Sequence, residues 1–135
     1  MRKIIWQFKK NMKKEIERIA KWNEACGNTT FNRHLEASMM AEEFAELMIA
    51  LKTWDKVEAV DAVLDMFIIW IWTLTKLGIN PELIDECMQE ILRSNDSKLI
   101  EENWKLVALK DSTGKILKPE HFSPANLKQI LWWDF

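Results

Sequence analysis

Acidic side chains recur at helical spacing in the middle of the chain, and they are the residues most able to do chemistry. At about 100° per residue, residues 33–53 place apolar and acidic side chains on one arc of a helix. Residues 56–77 place three acids on a stripe that continues into Ile68 and Trp72. The pattern predicts two helices that turn carboxylates towards a shared interior. The arc holds Leu35, Met39, Glu43, Glu46, Leu47 and Ala50, and the stripe holds Glu58, Asp61 and Asp65.

Carboxylates in an apolar interior need a positive partner, because an unpaired buried charge costs roughly several kcal/mol. The lysines between residues 34 and 77 are Lys52, Lys56 and Lys76, all near helix ends. A hard divalent cation is the economical partner, and all-oxygen ligation favours Mg²⁺ or Mn²⁺ over Zn²⁺. A di-iron centre would need a Glu-x-x-His motif, which neither His34 nor His121 forms. The alternative is that the acids line a solvated groove or pair with the lysine-rich N-terminal helix.

Composition restricts the fold class. A chain of 135 residues with 48% hydrophobic and 30% charged residues is the size and type of one soluble globular domain. Three glycines and three prolines are too few for the many turns of an all-β fold, so we expect an all-α protein. The charge is divided, with a net +6 over residues 1–21 and −9 over residues 34–90. An acidic surface of that density repels nucleic acid and either stays solvated or holds cations.

Apolar spacing predicts four helices, at about residues 3–23, 33–53, 56–77 and 81–94, in a four-helix-type bundle. Asp55 is the predicted N-cap of the third helix, with Glu58 completing a capping box. Only eleven residues separate Glu46 from Glu58, so a tight turn must join the second and third helices. The apolar positions of the first helix are Ile4, Ile5, Phe8, Met12, Ile16, Ile19 and Ala20.

Beyond the helices, the pattern changes to short apolar runs. Trp104–Ala108 and Lys115–Leu117 are joined by Asp111–Gly114, which predicts a β-hairpin or an ordered loop. An apolar tail rich in Trp ends the chain at Phe135. We therefore expect a single domain over residues 1–135, with a core at about 3–98 and a C-terminal appendage at about 99–135.

Hydropathy and cysteine usage indicate the compartment. The longest uncharged apolar run, Met66–Thr75, has ten residues, whereas a membrane-spanning helix needs about twenty. The apolar stretch near the N-terminus is too short for a signal peptide, and two cysteines, Cys26 and Cys87, are too few for a disulfide framework. We expect a cytoplasmic protein with no membrane and no nucleic-acid partner. The alternative is that the basic first helix binds an anionic membrane or nucleic acid.

Two sets of motifs resemble one known family. Glu42-Glu43-Phe44-Ala45-Glu46 followed by Glu58-Ala59-Val60-Asp61 resembles the EExxE…ExxD signature of the all-α nucleoside triphosphate pyrophosphohydrolases. This MazG-like superfamily also includes dimeric dUTPases, dCTPases and phosphoribosyl-ATP pyrophosphohydrolase. A second set resembles its single-domain branch from phages and bacteria. That set consists of Arg93-Ser94-Asn95-Asp96-Ser97-Lys98, Gly114-Lys115-Ile116-Leu117-Lys118 and Phe122-Ser123-Pro124.

The resemblance implies Mg²⁺-dependent hydrolysis of a nucleoside triphosphate to a monophosphate and pyrophosphate, with Mn²⁺ as a possible substitute, in the removal of unwanted nucleotides. It places the metal on Glu43, Glu46, Glu58 and Asp61, with Asp65 as a further acid. Glu42 or Glu46 would accept the proton of the attacking water. The resemblance also implies that Asn95 and Lys98 lie near the triphosphate, and Lys115 and His34 are further candidates for substrate binding.

The second helix has another face of small and apolar residues, and a helix that is apolar on nearly all sides must be covered from two directions. We therefore expect a homodimer or tetramer that shares helices two and three. Trp70 and Trp72 are predicted to lie in the core or the interface, and Trp22, Phe31, His34 or Trp54 could stack on a nucleobase. The alternative function is a non-catalytic helical interaction module. The second face consists of Ala37, Ser38, Ala41, Phe44, Ala45 and Met48.

Overall fold

Four long helices account for most of the chain in the computed structural model, which describes the backbone of residues 2–132 and the side chains of residues 13–132. Each helix ends within two residues of its predicted limits, and the all-α class is confirmed. No single helix in the described chain is long and apolar enough to cross a lipid bilayer. The four helices are α1 (Arg2–Ala25), α2 (Arg33–Thr53), α3 (Lys56–Lys76) and α4 (Pro81–Asp96).

Asparagine and aspartate side chains set the helix starts. The side-chain oxygen of Asn32 accepts hydrogen bonds from the backbone N–H groups of His34 and Leu35, at 3.1 and 3.2 Å. Asp55 does the same for Val57 and Glu58, both at 3.1 Å. Each cap satisfies N–H groups that the first turn of a helix leaves without partners. The predicted N-cap at Asp55 is therefore confirmed.

Only Trp54 and Asp55 lie between α2 and α3, which confirms the predicted tight turn. Trp54 adopts the left-handed backbone conformation, with φ of 58°, and its N–H bonds back to the last turn of α2. The N–H of Asp55 donates to the Ala50 carbonyl at 2.9 Å. The predicted capping box is wrong in its second half, because that N–H is already paired and needs no bond from the Glu58 side chain.

The interior of the helical part lies where α3 packs between α1 and α2. Ile16 of α1, Ala50 of α2 and Ala62 of α3 are among its fully buried side chains, and Met66 and Ile69 continue the buried stripe along α3. A side-chain hydrogen bond of 3.4 Å between Asn23 and Thr75 also joins α1 to α3. The predicted apolar face of α1 is therefore confirmed at Ile16. Ile4, Ile5, Phe8 and Met12 lie outside the described side chains.

A buried ion pair joins the start of α2 to the end of α3. The Lys76 ammonium nitrogen lies 2.5 Å from the Glu36 carboxylate, and both side chains are almost completely buried. The Thr73 hydroxyl donates a hydrogen bond of 2.9 Å to the other Glu36 oxygen. Both carboxylate oxygens are thus paired, which is the condition under which a buried charge is tolerated.

The chain divides into two compact units, one up to Ile84 and the other from Asp85. In the second unit, strands β1 (Leu99–Glu102) and β2 (Lys105–Ala108) pair antiparallel, and a short helix α5 spans Leu127–Leu131.

The predicted run Trp104–Ala108 contains β2, but its partner strand is β1, which precedes it, and the run Lys115–Leu117 forms only an ordered turn with a single bridge. The strands pair across Asn103 and Trp104, which both have positive φ, at 51° and 64°, as in a two-residue hairpin turn. The predicted turn at Asp111–Gly114 also forms, with a single bridge between Lys110 and Ile116. The sequence lacks the usual Asn-Gly signal at the first turn, so the local pattern favours the turn at Asp111 instead.

Replacing Lys76 with Met should lower the free energy of unfolding by about 3–5 kcal/mol, because it leaves the Glu36 carboxylate buried without its partner. A double variant with Glu36→Leu and Lys76→Met should recover most of that loss. Urea unfolding followed by circular dichroism measures both, and Lys52→Met, at an exposed position of α2, is the matched control. Equal stability of the Lys76→Met variant and the wild type would contradict the role of the pair.

Candidate active site on helices α2 and α3

The predicted acids differ in their exposure. Glu43 of α2 and Asp65 of α3 are half-buried. The prediction that all the metal-site acids turn inward is therefore wrong for Glu46, Glu58 and Asp61, which are exposed. The buried side of α2 is centred on Glu36, Glu43 and Ala50, which rotates Glu46 to the edge of that side. The exposed acids are Glu42, Glu46, Glu58 and Asp61.

Among the candidate acids of α2 and α3, Glu43 has the surroundings least favourable to a negative charge. Its Oε2 atom is buried and has no hydrogen-bond partner among the described residues. Burial, and after it the negative charges of Glu46, Asp65, Glu42 and Asp61, raises the pKa of Glu43 above its ordinary value of 4.5. Carboxylates from both helices therefore lie close enough to act on Glu43. Glu58 lies one helical turn before Asp61 on α3.

No cationic side chain described in the structure forms an ion pair with any of the six candidate acids, which are Glu42, Glu43, Glu46, Glu58, Asp61 and Asp65. Lys76 is already paired with Glu36. The alternative in which the acids pair with the first helix finds no support among its described side chains, from Lys13 onward. The alternative of a solvated groove fits the four exposed acids, but it does not account for the buried, unpartnered oxygen of Glu43.

The donor chemistry of this cluster fits a hard divalent cation. Every candidate ligand is a carboxylate oxygen, and the orphaned Glu43 oxygen is a free lone-pair donor. Among the described residues, no group of three or more His, Cys, Asp or Glu side chains is close enough to hold a metal by itself. Mg²⁺ usually binds through one or two carboxylates together with water and substrate phosphates. The arrangement therefore suits a cation whose ligand shell a phosphate substrate completes.

The second motif set assembles into one structure within the C-terminal unit. The Ser97 hydroxyl accepts a hydrogen bond of 2.9 Å from the Ser123 N–H and donates one of 3.2 Å to the Ser123 carbonyl. The Arg93 guanidinium donates to the Pro124 carbonyl at 3.2 Å. These hydrogen bonds hold the end of α4 against the segment that follows Phe122, about 30 residues later in the sequence.

Asn95 and Lys98 are neighbours in this assembly. The Lys98 ammonium donates a hydrogen bond of 2.9 Å to the Asn95 side-chain oxygen. It lies 5.9 Å from the centre of the Phe122 ring, and the Lys118 ammonium lies 4.9 Å from the same centre. The backbone N–H of Lys115 donates a hydrogen bond of 3.1 Å to the Asp111 side chain, within the turn at Asp111–Gly114. Lys118, which the sequence pointed to only as part of a motif, is therefore the second lysine at Phe122.

Glu90, which the sequence does not single out, holds this assembly together. Arg93 forms two hydrogen bonds of 2.8 Å with its carboxylate, and the Asn126 N–H donates another at 2.9 Å. The bonds from Arg93 and Asn126 lower the pKa of Glu90 to about 2. A Glu-x-x-Arg spacing on one helix face is a local signal that could have identified the pair, but the partner at Asn126 is distant in sequence.

The aromatic candidates are divided between packing and surface positions. Trp22 and Trp72 stack in parallel, with ring centres 5.2 Å apart and planes within 5°. Trp54 and Trp70 are exposed in the single chain. Trp70 therefore does not lie in the core, and its predicted place in an interface stays a prediction. His34 is exposed in the first turn of α2, where its backbone N–H is part of the Asn32 cap.

Replacing Glu43 with Gln should raise the melting temperature at neutral pH in the absence of divalent cations. An acid whose pKa is raised by folding destabilises the native state at pH values above its ordinary pKa, and neutral pH lies in that range. That penalty is relieved as the pH falls, because the folded protein takes up the proton first. The gain in the variant should therefore shrink as the pH approaches 4.5, the ordinary value for this side chain.

Differential scanning fluorimetry across this pH range checks the expectation, with Glu24→Gln, at an exposed site on α1, as the control. A lower melting temperature for the Glu43→Gln variant at neutral pH would mean that the Glu43 carboxylate is stabilised by its surroundings.

Comparison with known proteins gives one result. The profile of the phosphoribosyl-ATP pyrophosphohydrolase family matches residues 7–95, well over half of the chain. The match includes the six acids and Asn95 and ends before Lys98. No curated protein matches the chain. The resemblance to MazG-like pyrophosphohydrolases is thus confirmed for the superfamily, whereas the single-domain branch stays a prediction. The chain belongs to the phosphoribosyl-ATP pyrophosphohydrolase family, a family of all-α pyrophosphohydrolases.

Proposed function

We propose that the protein hydrolyses the bond between the α and β phosphorus atoms of a nucleoside triphosphate, releasing a monophosphate and pyrophosphate and removing unwanted nucleotides. The observation that carries this proposal is the orphaned Glu43 oxygen within a group of carboxylates from two helices. Membership of a pyrophosphohydrolase family supports the reaction type. The name of the family refers to an ATP derivative, so phosphoribosyl-ATP itself belongs in the substrate panel.

Glu43, Glu46, Glu58, Asp61 and Asp65 would hold Mg²⁺, or Mn²⁺ in its place. When bound, such a cation supplies charge neutralisation for the phosphate oxygens and a water of lowered pKa. The acids make this cation necessary, because a polyanionic substrate is otherwise repelled by the cluster. Glu43, with one oxygen shielded from water, is the acid that gains most from neutralisation.

Side chains of the protein would accept the proton of the attacking water and stabilise the departing pyrophosphate. Glu46 or Glu42, both exposed on α2, would accept the proton of the attacking water. Lys98 would offset negative charge on the departing pyrophosphate, and Asn95, already hydrogen-bonded to Lys98, would orient it. Lys118 joins Lys98 at Phe122 and would add a second positive charge beside it.

A homodimer that shares α2 and α3 is part of the proposal. All six residues of the second face of α2 are exposed in the single chain, including Phe44 at 56% and Met48 at 50%. Val60 and Val63 of α3 are exposed as well. Exposed apolar side chains in this number on two helices are typical of a protein interface.

Glu46→Gln should lower kcat for pyrophosphate release by at least about a hundredfold, because it removes both a cation ligand and a candidate proton acceptor. The assay measures pyrophosphate from canonical and modified triphosphates and from phosphoribosyl-ATP, with and without Mg²⁺. Glu102→Gln, an exposed acid on β1, is the matched control and should keep full activity. Inorganic phosphate as the direct product would reject the proposed bond cleavage.

Melting with and without Mg²⁺ separates this proposal from a non-catalytic helical interaction module. A cation that binds the native state should raise the melting temperature of the wild type, and the rise should be smaller in the Glu43→Gln variant. No activity on any substrate together with no Mg²⁺ effect would favour the interaction module.

Phe44→Lys combined with Met48→Lys should convert the proposed dimer to a monomer at micromolar concentration, because it places two charges on the apolar face of α2. Size-exclusion chromatography with light scattering measures the mass. Trp104→Lys, which changes a 95% exposed tryptophan at the tip of the β-hairpin, is the control and should leave the mass unchanged. A wild-type protein that is already monomeric would contradict the shared bundle.

A further inference from the structure

A cleft of about 580 Å³ opens between α1 and α3, beside the acids. Its size is within the range of small-molecule sites, roughly 300–1,000 Å³. Its lining is largely apolar and aromatic, with charged side chains from both helices. We call it the α1–α3 cleft, and its principal lining residues are Arg18, Ile19, Trp22, Asp65, Ile68 and Trp72.

The aromatic wall of the cleft presents a flat surface. Trp22 and Trp72 lie parallel at 5.2 Å, so no further ring fits between them. Trp22 is nevertheless 56% exposed, which leaves indole surface available for another ring. The Trp72 indole nitrogen is covered by protein, and we assign it no bond to a ligand. Planar nucleobases stack on such surfaces whatever their identity.

The polar lining matches an occupant that has both donors and acceptors on its edge. Arg18 offers guanidinium N–H groups and Glu15 a carboxylate, one turn apart on α1 and both exposed. They form no ion pair with each other or with Asp65 in the described structure. Base edges carry carbonyl, amino and ring-nitrogen groups that such side chains recognise. A purely apolar occupant would leave these groups without use.

Asp65 connects the cleft to the acids. Its side chain lines the cleft, and its charge acts on Glu43 of the neighbouring helix. On α3, Trp72 lies two turns beyond Asp65, about 10 Å along the axis at 1.5 Å per residue. A ligand that reaches both ends therefore needs a flat ring at one end and a phosphate-bearing, cation-binding group at the other.

We propose that the α1–α3 cleft holds the nucleobase of the substrate, stacked on Trp22, while its phosphates extend past Asp65 towards Glu43. The proposal rests on the proposed function for the identity of the phosphate end. It assigns recognition of the base to α1, the helix that contributes no residue to the acidic cluster.

Nucleoside binding tests the cleft independently of catalysis. Isothermal titration calorimetry with adenosine, guanosine, cytidine and thymidine is performed on the full chain in EDTA, where neither phosphate nor metal takes part. At least one nucleoside should bind the wild type, and Trp22→Ala should weaken that binding about tenfold or more. Trp22→Phe, which keeps a ring, should retain most of the affinity. Trp104→Ala, which removes an exposed indole elsewhere, should retain all of it.

Kinetics provide the second measurement. With triphosphate substrates, Trp22→Ala should raise KM about tenfold while kcat stays near the wild-type value, whereas an acid variant lowers kcat. Because loss of Trp22 also removes its stack with Trp72, Leu64→Trp is a second variant. It fills the cleft from an exposed position and should block nucleoside binding in a protein that melts like the wild type.

The failures of the two proposals are distinguishable. Nucleoside binding that depends on Trp22 in a protein without hydrolytic activity would support the cleft and reject the enzyme. Hydrolysis with no nucleoside binding, or with equal binding by wild type and Trp22→Ala, would overturn the cleft proposal and leave the acids as they are. A change of oligomeric mass in the Leu64→Trp variant without nucleoside binding by the wild type would assign the cleft to a second copy of the chain, and would also overturn it.

Discussion

The buried pair between Glu36 and Lys76 fixes how α2 lies against α3, and the acids depend on that register. The pair holds the start of α2 to the end of α3, and the two-residue turn at Trp54 and Asp55 holds their other ends. Two helices tied at both ends cannot slide by a turn without exposing one of the charges. Glu43 and Asp65 both lie between these two fixed points, and the charge of Asp65 acts on Glu43.

The same pair bears on why the acidic cluster has no counter-charge among the side chains that the structure describes. Lys76 is the one buried lysine of α3, and Glu36 uses it fully. Folding places the Glu43 carboxylate beside four other acids and shields one of its oxygens from water, which lowers the stability of the native state. The core made by Ile16, Ala62 and Met66 must offset this loss of stability. Local features that work against stability are expected where a protein binds a ligand of opposite charge.

The features predicted from sequence are those that neighbouring residues decide. Helix limits follow from caps such as Asp55 and from glycines such as Gly78, whose backbone has positive φ, and these signals are local. The predicted rotation of α2 about its axis is less accurate, because the sequence of a helix that is apolar on most sides does not indicate which side packs on α3. Glu36 therefore went unnoticed as the partner of Lys76. The pairing of β2 with β1 is not evident from the sequence, because the turn at Asn103 lacks glycine.

Contacts between residues that are distant in the chain could not be predicted from the sequence. The bonds that hold Ser97 to Ser123 and Glu90 to Asn126 join segments whose separation no periodic pattern encodes. The resemblance of motifs grouped these segments without saying how they meet. The cleft between α1 and α3 is of the same kind, since it depends on where Trp22 stacks on Trp72.

The composition of α2 and α3 follows from the number of surfaces each helix serves. One side of α3 packs on α1 and α2, Asp65 faces the acids and the cleft, and Val60 and Val63 remain exposed. A helix with only a core side and a solvent side would have a polar stripe in place of these valines. Carboxylates therefore lie in narrow stripes between apolar ones, and Glu43 is the candidate acid with an oxygen shielded from water. The position of Glu43 between apolar stripes keeps one of its oxygens away from water, which is why the proposed cation would neutralise this acid before the exposed ones.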